Sequence, residues 1–316
     1  MNIIFFGTSD FAVPSLRALS KSAHKISCVI TRPDKKGGRG MQLLSSPVKV
    51  AAYELGLEIL QPENLLSQDI VALLKKKRAD LFVVIAYGEI LRKEILEIPK
   101  KYCINLHASL LPKYRGAAPC NWAVINAEPQ TGVTVIKLNE KVDAGDIITS
   151  QTISISRENT SLDVYRELSI VGAETLAATV GLVSSGREVF TKQNERLATY
   201  APKLKKEDGL INWNNPAQKI QCLIRGTQPW PGAYTCLPAG QAGIDGKLLK
   251  IYKAEAGGEK SGYSPGEIID VSREYFTIAC ANSALRVLEV QAEGKNRMAA
   301  MEFLKGAHLE IKQRLG

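Results

Sequence analysis

The chain has 316 residues, 45% hydrophobic and 23% charged, with 41 Lys and Arg against 32 Asp and Glu and a formal net charge of +9. At roughly 100–200 residues per domain, that length points to two domains with a sizeable core, and the composition excludes disorder and collagen-like repeats. No apolar run approaches the roughly 18–20 residues of a membrane helix, and the opening MNIIFFG lacks the basic region of a signal peptide.

Short apolar runs alternate with amphipathic stretches through the first half. Residues 2–6 (NIIFF) read as a buried strand and 11–19 as a helix, with Asp10 as its cap and Pro14 in its first turn. A second strand is expected over 25–31. Ser46 as N-cap and Pro47 at the first helical position open a helix over 46–56. A further helix is expected over 69–77, then strands over 80–88, 102–108 and 132–138. Fully apolar strands separated by helices imply a mostly parallel, Rossmann-like α/β sheet covered on both faces. Such sheets bind ligands at the carboxyl ends of their strands.

A long helix from Ser161 to about Ser184 closes this half. The polar stretch 187–209 lacks a clear period and reads as a crossing to a second domain. The expected division is a catalytic domain over 1–188, a linker over 189–208, and a smaller β-barrel domain of OB-like type over 209–316. A short helix near 216–225 precedes strands over 247–255, 266–272, 275–281 and 284–291. Residues 237–246 read as a loop. The second part is the more basic per residue, with 18 basic and 13 acidic groups over 190–316. Arg32 to Lys49 holds five basic residues and one acid. Such a balance suits a polyanionic partner without establishing one.

The six cysteines are scattered and form no CxxC pair, and the three histidines, His24, His107 and His308, lie far apart. Reduced buried thiols in the cytoplasm and no metal site are therefore expected. The first loop, Gly7-Thr8-Ser9-Asp10-Phe11, carries only the first glycine of GxGxxG, and no GxxxxGK[ST] occurs. A nicotinamide dehydrogenase and a P-loop nucleotidase are thus disfavoured.

The segment Cys103-Ile104-Asn105-Leu106-His107-Ala108-Ser109-Leu110-Leu111-Pro112 reads as a strand ending in Asn and His, then a loop. Alternation puts Asn105 and His107 on one side of it. A lone histidine is commonly structural, but two polar side chains at a strand's carboxyl end fit a site better than a core. Asp143 follows a strand and a turn. It is either a turn residue beside Gly145 or a carboxylate that orients His107 and favours its imidazolium.

Asn105-x-His107, Ser109-Leu110-Leu111-Pro112, Arg115-Gly116-Ala117-Ala118-Pro119, Thr131-Gly132-Val133-Thr134 and Asp143-x-Gly145-Asp146 together resemble the 10-formyltetrahydrofolate-dependent formyltransferases. Further segments narrow the resemblance to the branch acting on methionyl-tRNA. They include Pro33-Asp34 through Gly38-Arg39-Gly40, Ser46-Pro47-Val48-Lys49, Ala86-Tyr87-Gly88, Tyr200-Ala201-Pro202-Lys203 and Ile224-Arg225-Gly226 through Pro229-Trp230-Pro231-Gly232. The similarity runs along nearly the whole chain. Val142 stands where Leu is commoner, and 237–246 is an unusual loop.

The resemblance implies formyl transfer from 10-formyltetrahydrofolate to the α-amine of methionine on initiator tRNA, by a monomer, without metal. It implies Asn105 and protonated His107 as donors to the oxyanion, with Asp143 holding His107. Cys103 and Ser109 are not nucleophiles in this scheme. The folate would lie against Ser109, Leu110, Leu111 and Pro112 and the loop at Tyr87-Gly88. The methionine would sit near Phe11. Lys35, Lys36 and Arg39 would form a mobile finger for the tRNA acceptor stem, a segment otherwise read as a solvated loop. Two other readings stay open: formyl transfer to a small amine such as a glycinamide ribonucleotide or amino sugar, and an RNA-binding module on a catalytically dead fold.

Overall fold

The computed structural model describes residues 1–37, 42–238 and 246–316. They form two compact units. The first comprises Met1–Pro119, Gln130–Ser154 and Tyr165–Pro202, and the second Cys120–Pro129, Ile155–Val164 and Lys203–Gly316. Residues 189–202 of the polar stretch thus belong to the first unit, tied there by Thr191 pairing with Ile147 and by the bridge between Arg115 and Tyr200.

The first unit carries β1 (Asn2–Gly7), β2 (Lys25–Ile30), β3 (Lys35–Gly37), β4 (Gln42–Leu44), β5 (Ile59–Leu60), β6 (Leu81–Ile85), β7 (Tyr102–His107), β8 (Gln130–Lys137) and β9 (Ile147–Ser154). Seven of them build one sheet in the order β5-β2-β1-β6-β7-β8-β9. Pairing is parallel from β5 to β7 and antiparallel for β7–β8 and β8–β9. Every residue of β6 is buried, and β1 buries all but its first. Such continuous apolar runs belong to strands covered on both faces. The chain runs from β1 outward through β2 to β5, then returns to the other side of β1 as β6. That reversal opens a crevice at the carboxyl ends of β1 and β6, where Thr8 and the segment 86–88 stand.

The helices begin with α1 (Val13–Ser20), α2 (Pro47–Glu54), α3 (Gln68–Lys76) and α4 (Lys93–Leu96). Ser46 caps α2 as expected, its hydroxyl accepting the Lys49 amide at 3.0 Å. Asp10 does not cap α1: the helix starts later, at Val13, after a 3-10 turn over Asp10–Ala12. The Asp10 carboxylate instead accepts the Phe11 amide at 3.1 Å and the Tyr165 hydroxyl at 2.5 Å. The half-buried Tyr165 phenol has a stronger claim on this carboxylate than a helix end that other groups can satisfy.

The expected mobile finger is in part a hairpin. Lys35 pairs with Leu44, Lys36 with Leu43 and Gly37 with Gln42. Its base is fastened by Asp34, which accepts from Lys49 at 2.5 Å and from Gln61 at 2.8 Å. Those donors hold the Asp34 carboxyl below its ordinary range, Lys49 first. Arg39 lies outside the described residues, as do 239–245 of the expected loop 237–246.

After α5 (Pro119–Ile125) comes α6 (Ser161–Ser185). By length and composition alone α6 could cross a membrane, contrary to the expectation from apolar runs. Its apolar residues Leu168, Leu176, Val180 and Val183 are buried instead, and at Gly172 it lies so close to β7 that a methyl group would meet Leu106 at 2.8 Å. The second unit adds α7 (Ala217–Gly226), β10 (Ala233–Cys236), β11 (Leu248–Glu259), β12 (Ile268–Val271), β13 (Phe276–Ala279), β14 (Ser283–Ala292), β15 (Met298–Ala299) and α8 (Ala300–Leu304). Its antiparallel sheet runs β10-β11-β14-β13-β12, with β15 on β14. Three register shifts along β11 against β14 bend that strand around a core of Trp213, Ile251, Phe276 and Leu285. Among the described residues no ladder joins β10 to β12.

Candidate active site

β7 ends in Asn105, Leu106 and His107. Leu106 is buried toward α6 on the opposite side from its two neighbours, because successive side chains on a strand alternate. Asn105 and His107 therefore share a face, as expected. His107 is buried, at 7% exposure, while Asn105 is half-buried, and no described residue hydrogen-bonds the Asn105 carboxamide.

The two ring nitrogens of His107 have separate surroundings. Nε2 lies 2.9 Å from the carbonyl oxygen of Tyr114. A carbonyl only accepts, so Nε2 carries its proton and donates. Nδ1 faces Asp143 Oδ2 at 3.6 Å, a charge-pair distance that is long for a hydrogen bond. Asp143 Oδ2 in turn accepts the Gly116 amide at 2.9 Å. The nitrogen free to exchange a proton is thus Nδ1, beside a carboxylate.

The Ser109–Pro112 loop is pinned from below. Ser109 Oγ donates to the Lys113 carbonyl at 2.6 Å, so its hydroxyl is structural. Thr134, opposite His107 on β8, donates to the Ser109 carbonyl at 2.7 Å and accepts the Leu111 amide at 3.1 Å. Gly132 makes room for this loop: a methyl group there would stand 2.5 Å from Leu110 and 2.1 Å from the Gln151 carbonyl.

The segment 86–88 follows β6. The Tyr87 carbonyl accepts from Thr8 Oγ1 at 2.8 Å, and Arg32 Nη1 reaches the Gly88 carbonyl at 3.4 Å. The Tyr87 ring stacks edge-on against Phe6 at 5.6 Å within the core, and burial pushes its hydroxyl up to about 12. The Tyr87 side chain is thus core packing, with the residue only 2% exposed. Six described non-glycine residues have positive φ, and Ala86, Tyr114 and Asp143 are three of them. Backbone held in that sparsely populated region clusters at functional sites, which picks out the same three loops as the polar side chains do.

Phe11 is buried and packs its ring 5.2 Å from that of Tyr165. Its neighbours Asp10, Val13 and Pro14 line a hollow of about 510 Å³ with Val50 and Ala51. Among the described residues no cluster of His, Cys, Asp and Glu could hold a metal. Lys35 is exposed on β3.

Sequence reasoning missed the support of the Asp143 turn. Gln193 donates to the carbonyls of Asp143 and Gly145 at 2.8 and 2.7 Å and accepts from Arg115 at 2.7 and 3.1 Å. Gln193 sits in the polar stretch read as a linker, where nothing in the pattern marks it.

Comparison with known proteins agrees with this layout. The formyl transferase family matches residues 1–180, and the formyl transferase C-terminal domain family matches residues 203–308. A methionyl-tRNA formyltransferase of Geobacter metallireducens is 43% identical, covering 100% of this chain and 99% of its own. That of Thermodesulfovibrio yellowstonii is 46% identical over 96% of this chain and 95% of its own. Among solved structures, the sugar 3N-formyl transferase WlaRD shares the fold with a TM-score of 0.66 at 21% identity, covering 94% of this chain and 99% of that one. Matched in both of its parts and along its full length, this chain belongs to the formyltransferase family, in its methionyl-tRNA formyltransferase branch.

Proposed function

We propose that the chain moves the formyl group of 10-formyltetrahydrofolate to the α-amine of methionine on initiator tRNA, with Asn105, His107 and Asp143 around the reacting carbonyl. The observation that carries this reading is the pair at the end of β7: an unengaged carboxamide beside an imidazole whose Nδ1 faces Asp143 at 3.6 Å.

The chemistry follows from the atoms. The attacking α-amine must be neutral; a free α-amino group titrates near about 7.7–8.0, and the ester on its carbon lowers that. As its nitrogen bonds to the formyl carbon, the carbonyl oxygen becomes an oxyanion. The Asn105 amide N–H is free to donate to it, and one such preorganised donor contributes about 2.7–4 kcal/mol. With Nε2 given to the Tyr114 carbonyl, His107 is in this reading a proton carrier and not the second oxyanion donor that the resemblance implies. Nδ1 takes the proton that the new amine nitrogen sheds, and Asp143 Oδ2 stabilises the resulting imidazolium. When the C–N10 bond breaks, its electron pair goes to N10, and His107 Nδ1 returns the proton there. Nε2 stays bonded to Tyr114 throughout, so the ring keeps its orientation.

In this reading, the main chain of 86–88 and the loop Ser109, Leu110, Leu111 and Pro112 hold the folate. Lys35, Lys36 and Arg39 meet the acceptor stem, whose shape and phosphates suit a run of basic side chains. The enzyme works as a monomer in the cytoplasm, where translation starts.

The test is formyl transfer from 10-formyltetrahydrofolate to methionyl initiator tRNA, with uncharged tRNA as control and small amines, an amino sugar nucleotide among them, run alongside. Transfer to the charged tRNA alone supports the reading. Equal or faster transfer to a small amine overturns it.

A further inference from the structure

We propose that Gln193, braced by Arg115, is a positioning residue that sets the Asp143 carboxylate against His107; this rests on reading Asp143 and His107 as the catalytic pair. Asp143 lies in the connection between β8 and β9, with φ of 50°. Two residues on, Gly145 is pressed against β8 so tightly that a methyl group there would stand 1.7 Å from the Lys137 carbonyl. A turn held in this conformation leaves the carbonyls of Asp143 and Gly145 outside any ladder. The Gln193 amide nitrogen satisfies both, at 2.8 and 2.7 Å.

The orientation of that amide is forced. Arg115 Nη2 and Nε lie 2.7 and 3.1 Å from Gln193 Oε1. A guanidinium has donors only, so the oxygen of Gln193 must face it and the NH₂ must face the turn. Arg115 is itself fixed: it is buried, and Nη1 and Nη2 bind both carboxylate oxygens of Glu195 at 2.9 and 2.8 Å. A bidentate pair of this kind restricts rotation as well as distance. The residue after Arg115 completes the clamp, since the Gly116 amide donates to Asp143 Oδ2 at 2.9 Å. Through Gln193 the Arg115–Gly116 pair holds the main chain of Asp143, and directly it holds the side chain.

Gln193 hydrogen-bonds the Asp143 turn and Arg115, and neither Asn105 nor His107, so in this proposal its effect passes through Asp143. Gln193→Glu separates the two roles it plays. The carboxylate keeps the volume and the Arg115 partner, but it has no hydrogen to give the two carbonyls. With formyl transfer to methionyl-tRNA as the assay, Gln193→Glu is expected to lower kcat about 10- to 100-fold, as small misplacements of a catalytic group do. KM for the folate and for the tRNA should change less than about twofold, because bound-substrate contacts are untouched.

The deciding measurement is a double-mutant cycle. In an Asp143→Ala background, Gln193→Glu should cost less than about twofold, since residues acting through one group are non-additive. An undiminished loss in that background, or wild-type kcat in Gln193→Glu while Asp143→Ala is impaired, overturns the inference and leaves the catalytic pair standing. Wild-type kcat in Asp143→Ala overturns the catalytic reading itself. Should Gln193→Glu compromise folding, judged by its thermal midpoint, Gln193→Met removes the same donors at similar volume and enters the same cycle.

Discussion

The Thr134 hydroxyl donates to the Ser109 carbonyl at 2.7 Å while accepting the Leu111 amide at 3.1 Å, so one fully buried side chain on β8 closes the loop that follows β7. Thr134→Val preserves the shape and removes both bonds. A buried polar group left without a partner costs about 1–3 kcal/mol. The loop Ser109–Pro112 should loosen, raising KM for 10-formyltetrahydrofolate several-fold and lowering the thermal midpoint. Steady-state kinetics at varied folate and a thermal melt check both, and an unchanged folate KM would remove Ser109–Pro112 from the folate site.

Much of this architecture is written in the sequence in plain form. β1 and β6 are apolar without interruption, because strands covered on both faces have no solvent side to mark. Asn105 and His107 stand out because two polar residues interrupt such a run with period two. β9 escapes notice, since as an edge strand it exposes Ser150, Gln151 and Thr152 and carries no apolar signature. Asp10 is misread as a cap because its partner, Tyr165, is 155 residues away. The anchor of His107 is a main-chain carbonyl of Tyr114, and a carbonyl leaves no trace in residue identity. Gln193 is hidden for the same reason, because two of its partners are backbone atoms.

Removing the imidazole tests the centre of the mechanism. His107→Ala deletes the group that takes and returns the proton at Nδ1, a role typically contributing about 10²–10⁴-fold. The expected result is a loss of at least about 100-fold in kcat/KM with tRNA affinity unchanged. A filter-binding or fluorescence titration with methionyl-tRNA beside the rate assay measures both. Wild-type kcat/KM in His107→Ala would take the imidazole out of the reaction, whereas tRNA binding with no formyl transfer by the wild type itself would favour an RNA-binding protein on a dead fold.

Gly145 gives a steric test of the Asp143 turn. Gly145→Ala would put a methyl group 1.7 Å from the Lys137 carbonyl, where backbone meets backbone and no side chain can swing away. Overpacking of this kind typically costs about 1–3 kcal/mol, and more where nothing yields. Because the strain falls two residues from Asp143, kcat should drop beyond what the lost stability explains at a temperature where the variant stays folded. Circular dichroism melts and kinetics well below the midpoint distinguish the two effects.

Lys35 tests the RNA-facing role of the hairpin. It is exposed on β3, with its backbone paired to Leu44. If it neutralises a phosphate, Lys35→Ala weakens tRNA binding and reduces the slope of log K against log salt by about 1. Arg39→Ala should act in the same sense and raise KM for tRNA, with the folate KM unaffected. A salt titration of binding decides the first, and identical slopes in wild type and Lys35→Ala would take that lysine out of the interface.

The buried thiols make stability fall at alkaline pH. Burial, with the Glu58 charge adding to it, pushes Cys28 up to about 12, and burial alone does the same for Cys280. In the unfolded chain a thiol titrates near about 8.5. Between those values the unfolded chain has released a proton that the folded chain keeps. The folded state therefore binds more protons, and stability declines as pH rises, by up to about 1.4 kcal/mol per pH unit for each such thiol. The penalty is absent below the unfolded value and stops growing once pH passes the folded one. Cys28→Ala removes one such group, so its urea midpoint should fall less between pH 8 and pH 10 than that of the wild type, even though the lost packing lowers its stability at pH 8. Parallel curves for the two proteins over that interval would show that Cys28 ionises as readily folded as unfolded.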